Sequence, residues 1–186
     1  MTLDPAVQRW WFIGCSGSGK TTWARRVAEA TGLPHVELDG VYHQANWTSL
    51  DDPTMWERTR DITSRDAWVV DGNYSVTRAL LVERPTVVVS LDFPRRRVMW
   101  QIVRRSVLRV VRREELWNGN RESWRSLLSW NPERSVIRWS YTKWQTYHER
   151  SVWLQRVFAS TPVHYIDVHS HRELHEVLAR EFGLSL

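Results

Sequence analysis

The stretch Gly14-Cys15-Ser16-Gly17-Ser18-Gly19-Lys20-Thr21 constrains this chain more than any other. It fits the pattern GxxxxGK[ST] at every fixed position. Trp10-Trp11-Phe12-Ile13 before it reads as a short buried strand. Lys20–Thr31 after it reads as a helix, stopped by Gly32. Glycine tolerates φ > 0 and lets backbone come close to a ligand. The N–H groups of such a turn, and of the helix start behind it, face a polyphosphate. Gly14 through Thr22 therefore read as an ATP cradle. Lys20 supplies a point charge for the β- and γ-phosphates, and the Thr21 hydroxyl is placed for Mg²⁺. Cys15, inside the loop, reads as a small filler rather than a nucleophile.

A chain of 186 residues suggests one domain, residues 1–186, with a sizeable core. One cysteine excludes an intramolecular disulfide and fits a reducing compartment. Met1 to Arg9 is too short and polar for a signal peptide, and no apolar run reaches membrane-spanning length. These features set the expectation of a cytoplasmic protein with no membrane partner. The net charge is +5, and only Lys20 and Lys143 are lysines among 26 basic residues, so 24 are arginine. Thirteen residues are tryptophan. GC-rich codons account for such a bias as well as phosphate recognition by the planar arginine fork does. The basic balance permits nucleic-acid contact, but no recognition motif supports it.

Strand and helix patterns alternate, which argues for an α/β fold with a parallel sheet covered on both faces. Candidate strands are Trp10–Ile13, His35–Leu38, Trp68–Val70, Thr86–Leu91 and Val163–Ile166. Candidate helices are Lys20–Thr31, Pro53–Arg65, Val76–Glu83, Pro94–Arg113, Pro132–Ala159 and Arg172–Phe182. Ligands of such sheets bind beyond the carboxyl ends of the strands. Three strands there run into an acid: Asp39, Asp71 and Asp92. A carboxylate in that position can hold Mg²⁺ through water, and Asp71 is the first choice. Asp39 is placed to orient or deprotonate an acceptor hydroxyl, or to cap a turn. Asp92, before Phe93-Pro94, reads as helping to begin a helix.

Asp39 to Trp47 mixes polar and aromatic groups, as an acceptor pocket would. His43 within it also reads as a plain loop histidine. Leu50-Asp51-Asp52-Pro53 reads as a helix cap with proline at the start. Asp61 and Asp66 read as solvated helix charges, and Arg58 and Arg60 are equal candidates to face the acceptor. The run from Arg95 to Arg113 is strongly basic, with an apolar face of Val98, Ile102, Val103, Val107, Leu108 and Val111. The break that follows, about residues 112–135, suits a mobile lid that excludes water and brings arginines onto the transferring phosphate. Arg105, Arg113 and Arg121 are the lid candidates. The aromatics of Pro132–Ala159 read as core, and the loop after Asp167 as either a nucleotide-base contact or a surface turn.

Gly14 to Thr21, Asp39, Asp71-Gly72-Asn73-Tyr74, Leu91-Asp92-Phe93-Pro94 and the Arg-rich lid together resemble the small P-loop kinases related to adenylate kinase. Among these the chain is similar to the bacterial proteins labelled topology modulation or adenylate kinase-like. The resemblance implies a three-layer P-loop NTPase fold with a five-stranded parallel sheet in order 2-3-1-4-5. It also implies a helical lid and an acceptor-binding insertion over about residues 40–66. Asp71-Gly72 matches the Asp-Gly of adenylate kinases, but Asn73-Tyr74-Ser75 stands where they continue Phe-Pro-Arg. Arg105 falls on a lid-hinge arginine, while Gln101 stands where a preceding arginine is expected. Asp39-Gly40, His43, Asn46 and Leu50-Asp51-Asp52 are similar to the acceptor loop of gluconate kinases. The expected function is an ATP- and Mg²⁺-dependent phosphotransferase for a nucleotide or small hydroxylated metabolite. An ATP-binding regulator associated with nucleic acid, and a kinase of polynucleotide ends, are the alternatives.

Overall fold

A computed structural model describes residues 8–132 and 134–186. The signal-peptide reading of Met1 to Arg9 falls mostly outside that range, and the lid span of 112–135 contains Glu133, also outside it. Five strands form one parallel sheet: β1 (Arg9–Gly14), β2 (His35–Glu37), β3 (Trp68–Asp71), β4 (Val87–Leu91) and β5 (His164–Val168). Their order is β2-β3-β1-β4-β5, as the resemblance implies. The register sets Phe12 beside Asp71 and Val89, and Gly14 beside Leu91.

Successive strand side chains point to opposite faces, and the sequence fills both with apolar groups. Trp10, Phe12, Val69, Val87 and Val89 pack on one face against α1 (Lys20–Thr31) and α8 (His171–Phe182), which contribute Trp23, Val27, Leu174 and Leu178. Trp11, Ile13, Trp68, Val70 and Val88 pack on the other. Covering that face are α3 (Asp52–Thr63) with Met55, α4 (Arg78–Glu83) with Leu81, and α7 (Val136–Phe158) with Leu154 and Phe158. The remaining helices are α2 (Leu38–Tyr42), α5 (Arg95–Arg112) and the short α6 (Trp124–Leu127).

The helix signals act as their chemistry dictates. Asp51 caps α3 by accepting from the Thr54 N–H, with Pro53 in the first turn. Gly32 ends α1 at φ 72°. Ser135 caps α7, so that helix begins after Pro132 rather than at it. Strand β2 stops at Glu37 because Leu38 opens α2, a helix the polar composition of Asp39–Trp47 did not announce. Asp92 departs from its expected role. Pro94 stands at the cap of α5 with no side-chain capping bond, while Asp92 Oδ2 is bonded to His148 Nδ1 at 2.6 Å. The helix start is left to proline geometry, and Asp92 ties β4 to α7. Among the described residues no helix is long and apolar enough to cross a membrane.

Leu154 is fully buried between α7 and the sheet. Leu154→Ala should cost about 3 kcal/mol through lost transfer energy and a residual cavity. Urea unfolding should show this as a lower midpoint at unchanged slope.

Candidate active site

The expected phosphate-loop residues are carried by the turn between β1 and α1 and the start of α1, and Asp71 ends the neighbouring β3. Gly14, Gly17 and Gly19 take φ of 143°, 91° and 94°. A Cβ on Gly14 would lie 2.7 Å from the Leu91 carbonyl oxygen, and one on Gly17 2.9 Å from Ile102 Cβ. Glycine is therefore required by both conformation and space. The turn is closed by Ser18 N–H donating to the Cys15 carbonyl at 3.1 Å. Lys20 Nζ donates to the same carbonyl at 3.2 Å, holding the ammonium over the loop. Cys15 is buried, and burial pushes its thiol above the usual range, as suits a filler.

Thr21 Oγ1 donates to Asp71 Oδ1 at 3.0 Å, bringing the two expected Mg²⁺ groups together. Asp71 is 2% exposed, and its other oxygen is 2.7 Å from His35 Nε2. Burial raises the Asp71 pKa, while the His35 bond and the Lys20 charge pull it back. Glu37, one pleat along β2 from His35, shares this corner. It accepts from Arg25 Nη2 at 3.1 Å and from Trp117 Nε1 at 2.7 Å. Sequence reading passed over His35 and Glu37, the first and last residues of the three-residue β2, which alternation puts on one face. The paired hard oxygens of Thr21 and Asp71 fit Mg²⁺, which prefers a few carboxylate and hydroxyl ligands with the rest water.

Asp39 lies on α2, and its Oδ1 accepts from Tyr74 O–H at 2.7 Å. Burial, and then the Asp39 charge, push the Tyr74 phenol far above its ordinary value, so it stays a donor. Tyr42 packs 4.6 Å from the Tyr74 ring, and His43 stacks 6.0 Å from Trp117. Asp39 and Lys20 line one cleft of about 2170 Å³ with the glycine loop.

The expected lid arginines separate. Arg105 reaches the loop, with Nη2 3.4 Å from Ser16 Oγ, and its Nε is buried without a partner among the described residues. Burial and the neighbouring Arg109 charge lower its pKa. Arg113 is exposed at the C-cap of α5 at φ 50°, off the cleft wall. Arg121 is exposed too and pairs with Glu115 at 3.1 Å. In their stead Arg104 and Arg109 line the cleft, Arg109 bonded to Glu122 at 3.2 Å. Arg109 falls one helical turn after Arg105, the spacing that puts both on one face. His171, after β5, accepts from Trp23 Nε1 at 2.8 Å and meets Gln101 at 2.8 Å, closing the cleft beside Gly19.

The segment after α5 is fastened to the stretch from His43 to Trp47. Asn118 Nδ2 donates to the His43 carbonyl at 2.6 Å, and Asn120 Oδ1 accepts from Trp47 N–H at 2.8 Å. Trp117 lies against Gly40 so closely that a Cβ there would be 2.7 Å from Trp117 Cδ1.

No protein-family model and no curated protein matches the chain. Solved structures do. A shikimate kinase from Acinetobacter baumannii in complex with shikimate aligns at TM-score 0.55 and 17% identity, over 95% of this chain and 96% of that one. A sugar kinase from a Janibacter species, unliganded, aligns at TM-score 0.39 and 20% identity, over 85% and 98%. The shared strand order and the likeness to shikimate kinase establish the P-loop kinase fold.

Burial lowers the His43 pKa below 6.5, outweighing the Asp39 charge, so folding favours its neutral ring. Its stabilising contribution is present above 6.5 and lost as pH falls through the lower folded value. His169 shifts upward, first through its bond to the Asp92 carbonyl. An NMR titration should find the His43 midpoint below 6.5 and the His169 midpoint above it.

Proposed function

We propose that this protein is an ATP-dependent phosphotransferase, a kinase of small hydroxylated metabolites built on the adenylate kinase-like plan. The observation that carries this reading is one cleft holding both halves of the chemistry. The glycine loop with Lys20 and Thr21, backed by the buried Asp71, forms one wall, and Asp39 with its tyrosine donor forms another.

In this reading the N–H groups of Gly14 to Thr22 hold the triphosphate, and Lys20 leaves the Cys15 carbonyl for the β- and γ-phosphates. Thr21 and Asp71 would hold Mg²⁺, which when bound neutralises charge on the phosphates. Arg105, next to Ser16, steadies the transferring group, with Arg104 and Arg109 adding positive potential along the same wall. Arg113 and Arg121 reach phosphate only if the lid moves them, since neither lines the cleft. Asp39 accepts the proton of the acceptor hydroxyl as its oxygen attacks the γ-phosphorus. The new O–P bond forms, the bond to the β-phosphate bridging oxygen breaks, and ADP and a phosphate ester leave with the proton. The chain's own contribution is positioning and fixed charge.

Two features favour a small metabolite over a nucleoside monophosphate as acceptor. Asn73-Tyr74-Ser75 replaces the arginine-bearing stretch that grips an acceptor nucleotide in adenylate kinases. Tyr74 instead turns to Asp39, and Trp117 of the lid stem packs over Gly40 beside it.

The test is ATP consumption across nucleoside monophosphates, sugar acids and oligonucleotides. Turnover is expected with a small hydroxylated acceptor, and Lys20→Ala should reduce it about 100-fold or more while circular dichroism stays unchanged. A folded Lys20→Ala variant with wild-type rate would remove the loop from the chemistry.

A further inference from the structure

One arginine, Arg150, lines the cleft near Asn73 and Tyr74, and a second, Arg78, stands behind it, outside the cleft wall. Arg78 opens α4, and Arg150 lies on α7. None of the ion pairs among the described residues includes either one. Arg78 Nε and Nη2 are closed off from solvent and bond to nothing among the described residues. Arg150 Nη1 donates to the Asn73 carbonyl at 3.2 Å, and its guanidinium lies 5.1 Å from the centre of the Tyr147 ring. The two guanidiniums act on each other. Burial lowers the Arg78 pKa most, and the charge of Arg150 lowers it further. Like charges held together in a half-buried place cost stability unless an anion joins them.

Their position relative to the proposed base matters. Arg150 contacts Asn73, and the next residue, Tyr74, bonds Asp39. Asn73, Tyr147 and Arg150 line the same cleft as Asp39. The Asp39 charge is felt at the Tyr147 phenol. Lys143, Tyr147 and Arg150 follow one another at the spacing of a single helix face, and all three face the cleft. The acids of the cleft wall lie elsewhere. Glu37 and Asp39 are at β2 and α2, and Glu114, Glu115 and Glu122 are on the lid stem. The α7 wall is thus positive where the α2 wall is negative.

Building on the phosphotransfer reading, we propose that Arg150, reinforced by Arg78 behind it and Lys143 beside it, is an anion-binding subsite for the acceptor. The acceptor is a small polyhydroxylated molecule that carries its own carboxylate or phosphate. Its anionic end meets the planar fork of Arg150, which suits either group, and its hydroxyl end points to Asp39. The uncompensated charge is then a recognition device that a neutral polyol leaves unsatisfied, so the pocket discriminates against it.

Calorimetry on the protein saturated with ADP and Mg²⁺ tests this with D-gluconate, D-glucose 6-phosphate and D-glucitol. The three are six-carbon polyhydroxylated molecules with a carboxylate, a phosphate or neither. At least one of the two anions should bind, with D-glucitol much weaker, and the stronger anion identifies the group the subsite takes. Arg150→Gln should weaken anion binding by about tenfold or more, the size of a lost charge-assisted hydrogen bond. Arg150→Lys, which keeps the charge but not the fork, should recover part of it. ADP affinity should stay unchanged in both variants, with folding checked by thermal melts. Equal binding of D-glucitol, anion binding indifferent to Arg150→Gln, or no anion binding to the folded, ADP-loaded protein would overturn the subsite. Failure of ADP itself to bind would contradict the phosphotransfer reading instead. The same anion titration on nucleotide-free protein then decides the subsite by itself, since Arg150-dependent heat supports it and its absence overturns it.

Discussion

Three separate elements press on the turn between β1 and α1, and only glycine can stand at each point of pressure. Leu91 at the end of β4 meets Gly14, Ile102 of α5 meets Gly17, and His171 at the start of α8 meets Gly19. The loop is therefore shaped by the packing around it and does not wait for a ligand to shape it. Amide donors fixed in advance need little reordering when a charged group arrives, which is where much of a site's binding and catalytic strength originates. The buried sheet has the same consequence. With Trp10, Trp11 and Phe12 fully buried, the end of β1 cannot shift without disturbing both faces of the core.

From that turn the rest of the site extends by contact. Thr21 bonds Asp71, Asp71 bonds His35, and Glu37 on the same strand bonds Trp117 of the lid stem. Asn118 and Asn120 carry the connection on to His43, Gln44 and Trp47. Any swing of this stem away from the stretch from His43 to Trp47 must break these bonds together and expose Asn120, which is 3% accessible. Under the proposed phosphotransfer, motion of this stem would be tied to the shape of the pocket around Asp39, a coupling that would exclude water before transfer.

Much of this was legible in the residues. The glycine pattern located the glycine-bent turn after β1, apolar runs located all five strands to within a residue or two, and the acids at the strand ends stand as expected at the sheet's carboxyl rim, Asp71 closing β3 and Asp39 in α2 just past β2. What escaped was set by distant parts of the chain. Asp92 reads as a helix starter from its neighbours, yet His148, far along in α7, claims it. Arg113 and Arg121 look like lid arginines in a basic stretch, but the left-handed C-cap at Arg113 and the Glu115 partner of Arg121 keep them off the cleft wall. His35, Glu37 and Arg150 gave no local signal, because their importance comes from strand pairing and from one helix face lying over another element.

The central claim is that the turn after β1 binds the phosphate tail of a nucleoside triphosphate. Isothermal calorimetry with a non-hydrolysable ATP analogue and Mg²⁺ tests it without reference to any acceptor. Saturable heat at one nucleotide per chain, lost when Mg²⁺ is withheld or Lys20 is replaced by alanine, is the expected result. A folded protein that gives no heat with the analogue at millimolar concentration would contradict it.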